Sequence, residues 1–154
     1  MIKKIKFLIC VLAVFVLAQS VSFAAAKPWV NDLRTMFLSN AAIIYELNIR
    51  TFNAKDTNGN GIIDISEGEE SGNFLNAIER LNELGSLGIN TIHVQPVTPV
   101  GKTKAIGTAG SIYAASSFDT LNPQLKSEDS ALSLEDQARK FINEAHKRGI
   151  RVII

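Results

Sequence analysis

Residues 74–94 read Phe-Leu-Asn-Ala-Ile-Glu-Arg-Leu-Asn-Glu-Leu-Gly-Ser-Leu-Gly-Ile-Asn-Thr-Ile-His-Val, and the apolar period changes partway along them. Phe74, Ile78, Leu81 and Leu84 recur at helical spacing, which makes one stripe that must be buried against a neighbour. Gly85 and Gly88 stop the stripe, and Ile89 to Val94 follows as a strand. The turn from helix to strand therefore takes only Gly85-Ser86-Leu87-Gly88.

Working outward, Ile43 to Arg50 reads as an earlier strand, with Tyr45, Leu47 and Ile49 on one face and Glu46, Asn48 and Arg50 on the other. Downstream, Ser133-Leu134-Glu135-Asp136 is a capping-box signature for a helix whose face carries Leu134, Ala138, Phe141, Ile142 and Ala145. Lys147-Arg148-Gly149 closes that helix with cations and a glycine, and Ile150 to Ile154 opens a third strand. Strand, helix, strand, helix, strand in this order predicts parallel, right-handed βαβ units in an α/β fold. Both helix-to-strand turns are short, whereas both strand-to-helix connections are long. A βα barrel places its functional loops on that side, and an open doubly wound sheet also binds ligands at strand carboxyl ends, so the asymmetry fits either.

Residues 1–26 read as a secretory signal: Lys3, Lys4 and Lys6, an apolar run from Phe7 to Ala18, then Ser22-Phe23-Ala24-Ala25-Ala26. The run is shorter than the roughly 20 residues that span a bilayer, so no stable membrane anchor is expected and the protein is assigned to the periplasm or the exterior. Cys10, the single cysteine, lies inside this run, which leaves the exported chain without thiol or disulfide chemistry. Losing the three signal lysines reduces 16 basic residues to 13 against 15 acidic ones, and no basic stripe invites nucleic acid. Residues 27–42 form a short helical approach in which Trp29, Leu33, Met36 and Phe37 share a face behind Pro28. The apolar Arg151-Val152-Ile153-Ile154 end, with no turn or cap after it, leads us to expect an amino-terminal fragment.

The first long connection holds Asp56-Thr57-Asn58-Gly59-Asn60-Gly61-Ile62-Ile63-Asp64-Ile65-Ser66-Glu67. Asp56, Asn58, Asn60, Asp64 and Glu67 occupy positions 1, 3, 5, 9 and 12 of a calcium loop, Ile62 at position 7 can add its carbonyl, and Gly61 permits the sharp turn. Hard oxygen donors of this kind suit Ca2+ over zinc or copper. A plain turn is the alternative, because Asn, Gly and Asp all tolerate left-handed backbone.

Tyr45 to Phe52, the Asp56 loop, Leu84 to Ile92, Pro96-Val97-Thr98-Pro99-Val100-Gly101, Gly110-Ser111-Ile112-Tyr113 and Leu121-Asn122-Pro123 together resemble the start of an α-amylase family catalytic domain, glycoside hydrolase family 13. The resemblance implies that residues 43–154 are the first three β/α units of a (β/α)8 TIM barrel, interrupted in the third strand. It also implies cleavage of α-glucosidic bonds in an α-glucan or oligosaccharide with retention, which needs two carboxyl groups about 5–5.5 Å apart. The family's catalytic acids are borne by later strands, so no catalytic residue is assigned, and the fragment alone is expected to be inactive. The resemblance further implies metal ligation by Asp56, Asn58, Asn60, the Ile62 carbonyl and Asp64, while Glu67 rests on loop spacing alone. It places Tyr113 as the aromatic that packs against sugar at the cleavage subsite; Ile112 and Ser117 stand where members often carry Pro and Asp.

Other features have plainer readings. Gly101-Lys102-Thr103 is no phosphate loop, since Pro96 and Pro99 remove backbone donors. His93 reads as a hydrogen-bonded core residue and His146 as a helix-terminal or solvated cation. Glu46 and Arg50 read as charge partners of neighbouring strands, with a place in the sugar site as the alternative. Two rival functions remain at this stage: a glucanotransferase or isomerase of the same family, and a non-catalytic calcium-dependent carbohydrate-binding module.

Overall fold

The computed structural model describes residues 33–106 and 109–154. The signal segment, Cys10, Pro28 and Trp29 lie outside the described residues. Helix α1, Leu33–Leu38, precedes strand β1, Ile44–Leu47, which passes directly into a single helical turn, α2, Ile49–Phe52. The helical stripe at 74–86 is a broken run: α3 is Phe74–Ala77, a 3-10 turn covers Ile78–Arg80, and α4 is Leu81–Ser86. Strand β2, Thr91–Val94, helix α5, Leu134–Lys147, and strand β3, Arg151–Ile153, complete the order, with further 3-10 turns at Ile65–Glu67 and Pro123–Leu125.

The three strands form one parallel sheet in the order β1-β2-β3, as the alternation of elements requires. Register puts Tyr45 beside Ile92 and Val152, and Leu47 beside Val94. These side chains all point to one face, where they join a single core with Phe74, Leu81, Leu84, Phe141, Ala145 and Ile150. The Phe74 and Phe141 rings lie 6.1 Å apart, which locks α3 to α5 over the sheet. Removing each such ring from water is worth roughly 1.5–3 kcal/mol, so this helix-covered face dominates the stability of the unit.

The opposite face is different. Ile44, Glu46, His93 and Ile153 point there and are exposed, whereas Thr91, on the same face at the amino end of β2, is buried. His93 is therefore not a core histidine: it alternates with buried Ile92 and Val94 and is itself exposed. At the amino ends of the strands, Asn90 ties the segments together by accepting from Ile43 N and donating to Ala41 O, at 2.9 and 2.7 Å.

The first strand is shorter than its alternation implies. The Asn48 side chain accepts from Arg50 N at 3.0 Å and caps α2, so the chain leaves the sheet after Leu47. Ile49 remains buried, but from the helical turn rather than the sheet. Ser133 caps α5 by accepting from Asp136 N at 3.1 Å, while its hydroxyl donates to the Asp136 carboxylate at 2.9 Å. The reciprocal capping box forms instead on α3, between Asn73 and Asn76. Among the described residues, no helix is long and apolar enough to cross a membrane.

Candidate functional site

Both long connections rise from the carboxyl ends of β1 and β2, and they meet there. Arg50, just after β1, donates to the Gln124 side chain at 2.7 Å, and Gln95, just after β2, donates to Glu46 at 3.1 Å. Glu46 and Arg50 thus take separate partners, because the helical turn at Ile49 moves Arg50 off the strand face. A small cavity at this rim is lined by Asn48, Arg50, Gln95, Val97, Ile112 and Asn122. One excursion covers residues 48–73, and the other covers 95–133.

The first excursion is closed at its neck by an antiparallel bridge between Lys55 and Glu70, reinforced by a 3.0 Å ion pair. Inside it, Asp56 accepts from Gly59 N and Gly61 N at 2.6 and 2.7 Å, Asn58 from Asn60 N at 3.0 Å, and Asn60 from Ile62 N at 2.7 Å. Gly59 and Gly61 have φ of 74° and 79°, which L side chains rarely adopt. Asp64 accepts from Ser66 N and Oγ, and these contacts hold its carboxyl below the usual carboxylate range. Glu67 accepts from the Asn58 side chain at 3.1 Å, and the Ile62 side chain is exposed. By chemistry alone, two carboxylates, two amide oxygens, a carbonyl and Glu67 are the all-oxygen donors a hard cation takes, and here the side-chain oxygens accept from N–H groups of the loop itself. Among the described residues, no three His, Cys, Asp or Glu side chains cluster so as to hold a metal.

Sequence reading missed Glu69. It follows the expected loop in the run Glu67-Gly68-Glu69-Glu70, where nothing in composition separates the three acids. Folding buries it to 3% exposure, and its carboxylate accepts from Thr57 N, Thr57 Oγ, Asn58 N and Asp64 N. The Asp64 N–H, ahead of the opposing effect of burial and with help from Asn58 and Thr57, holds its carboxyl below the usual range.

In the second excursion, Pro96–Gly101 and Ser111–Ser116 run antiparallel: Gly101 N donates to Ala114 O and Ser116 N to Pro99 O, both at 2.8 Å. Tyr113 stands just before the Ala114 rung of this ladder and is 67% exposed. Ser117 donates to Asp119 and receives from Thr120, which leaves Phe118 between them fully outward. Asn122 caps the Pro123 turn, and its N–H donates to Val97 O at 2.7 Å. Gln137 of α5, wholly buried, closes the excursion by accepting from Ser127 N and donating to Ser127 O and Leu132 O. His146 is half-buried near the end of α5, and burial followed by the Arg151 charge lowers its pKa, which favours the neutral ring over the expected cation.

No family model matches the chain. It is 24% identical over 133 residues to the chloroplastic isoamylase SU1 of Zea mays and 23% identical over 133 residues to chloroplastic isoamylase 1 of Oryza sativa subsp. japonica. Each match covers 82% of this chain, and the chain spans only 16% of either relative. In fold it is similar to the maltogenic α-amylase AmyB of Thermotoga neapolitana, with a TM-score of 0.52 and 24% identity over 72% of this chain and 21% of that one. The α-amylase of Lactobacillus plantarum gives a TM-score of 0.53 at 22% identity with the same coverage. In sequence and in fold, the chain resembles α-amylase family catalytic domains.

Proposed function

We propose that the chain is the amino-terminal part of an exported α-amylase-type glycoside hydrolase that acts on α-glucan with retention. The observation that carries this reading is the pair of excursions meeting over the carboxyl ends of sequentially ordered parallel strands, in a segment related to isoamylases. The core of Phe74, Leu81, Phe141 and Ala145 packs on one sheet face, and the exposed Ile44, Glu46, His93 and Ile153 on the other face suit the interior of a barrel.

On this reading, Tyr113 offers its ring to a sugar face, where C–H bonds meet the aromatic surface and the hydroxyl can still hydrogen-bond. The Arg50–Gln124 bond ties the two excursions to each other, and the Gln95–Glu46 bond ties the second one back to β1. Asp56, Asn58, Asn60, the Ile62 carbonyl, Asp64 and Glu67 would hold calcium, which would supply a charge that keeps the first excursion ordered. The acid pair that performs the displacement is assigned to none of these residues. The described residues supply three strands, too few to close an eight-stranded barrel, so on this reading the chain alone is inactive.

The test is hydrolysis of starch by the complete enzyme and by this chain, with the anomer of the product followed by NMR. The complete enzyme should release α-anomeric product, and the chain alone none. Starch cleavage by the chain alone would place the acids within it, and an inverted product would remove the retaining mechanism.

A further inference from the structure

We propose that Glu69 is a positioning residue for the cation loop: a buried carboxylate that stays out of the coordination sphere and fixes the two arms of the loop before the ion arrives. The inference rests on the calcium reading above and deepens it. Asp56 and Asn58 lie on the outgoing arm and Asp64 on the returning arm, and Glu69 spans both. Its Oε1 accepts from Thr57 N at 2.9 Å, from Thr57 Oγ at 3.2 Å and from Asn58 N at 3.2 Å, while Oε2 accepts from Asp64 N at 2.9 Å.

Two features separate this role from that of a ligand or a mere stabilising contact. Oε1 already receives three donors, more than its lone pairs serve well, and Oε2 is aimed at the Asp64 N–H. Charge-assisted bonds from a carboxylate to backbone N–H groups are among the strong ones, so the arms are held without any ion. A loop ordered in advance loses less conformational entropy on binding, and that difference appears as affinity. The neck bridge of Lys55 and Glu70 closes the loop from outside, but it does not reach the arms that carry Asn58 and Asp64.

The experiment is calorimetric titration of calcium chloride into the full chain and into Glu69→Gln and Glu69→Ala, with circular dichroism in chelator to confirm folding. Glutamine keeps one carbonyl oxygen for Thr57 and Asn58 but sets an amide N–H against Asp64 N–H. It should weaken calcium binding roughly 10–100-fold, as loss of an outer-sphere partner commonly does, and alanine should weaken it more. Terbium luminescence lifetimes in light and heavy water should show the same number of bound waters in the wild type and in Glu69→Gln. A wild type that binds calcium beside a Glu69→Gln variant of equal affinity overturns the inference and leaves the calcium reading standing. An additional bound water in the variant makes Glu69 a ligand, which also overturns it. A wild type that binds no calcium removes the calcium reading, and the inference with it. If Glu69→Gln does not fold, Thr57→Val removes one of the four donors and should weaken binding by about 2–5-fold; unchanged affinity there overturns the inference.

Discussion

The two excursions over the sheet are built in opposite ways. The first, residues 48–73, is wired to itself: Glu69 fills its interior, Asp56 and the asparagines turn back on their own backbone, and the Lys55–Glu70 bridge seals its neck. The second, residues 95–133, is pinned at its edges by Asn122, Gln137 and a short backbone ladder, and it pushes Tyr113 and Phe118 outward at 67% and 89% exposure. A loop that satisfies its own polar groups can hold a small ion. A loop that exposes aromatic rings instead leaves them free to meet a surface from outside, which is the use the proposed function makes of Tyr113.

The largest expected effect breaks the first excursion at its base. A Cβ on Gly72 would stand 2.1 Å from Ile49 O and 2.6 Å from Arg50 O, and Gly72 N donates to Arg50 O at 2.8 Å. Both neighbours are backbone and cannot swing aside, so Gly72→Ala should cost about 3–5 kcal/mol in denaturant unfolding. A loss below 1 kcal/mol would show that this contact is loose. Next, Gln137→Ala leaves Ser127 N, Ser127 O and Leu132 O without their partner and should cost about 2–4 kcal/mol. Hydrogen exchange should then rise across the second excursion and leave the first unchanged, and equal loosening of both would dissolve the contrast between them.

A smaller effect comes from acid. Burial raises the Glu70 pKa, but hydrogen bonds from Lys55, Asn73 and Asn76, together with the Lys55 charge, outweigh it, so the folded carboxyl titrates below its ordinary 4.5. A group depressed in this way contributes fully above its unfolded pKa and loses that contribution as pH falls through the folded value. Exchange at Lys55 N and Glu70 N, corrected for its intrinsic pH dependence, should therefore be protected above about pH 5 and lose protection below 4.5. The smallest effect on stability belongs to Tyr113→Ala, within about 0.5 kcal/mol because the ring is exposed. In the complete enzyme, the same change should raise KM for α-glucan several-fold. Unchanged kinetics would reduce Tyr113 to an ordinary loop residue.

How much of this was legible from residues alone varies by element. The helical stripe of Phe74, Leu81 and Leu84 and the face of Ala138, Phe141 and Ala145 are core as their spacing demands, and the sheet is parallel because two short helix-to-strand turns leave little else possible. The strand before the first excursion reads as Ile43 to Arg50 but ends at Leu47, because alternation continues through Asn48 while that side chain is already capping a helical turn. His93 was misplaced for a related reason: a histidine within an apolar strand looks buried until the register shows which face is covered. The loop donors were visible as a spacing, whereas the carboxylate that organises them was hidden among adjacent acids.

The sequence by itself determined periodicity, and with it the order of elements, the parallel sheet and the end at which both excursions stand, because apolar spacing and glycine stops act over a few residues. Only the tertiary structure decided which polar groups are buried and whom they meet. Glu69 and Gln137 look like solvated side chains until distant backbone N–H groups close around them, since the desolvation of a carboxylate or amide is offset by partners that no local pattern announces.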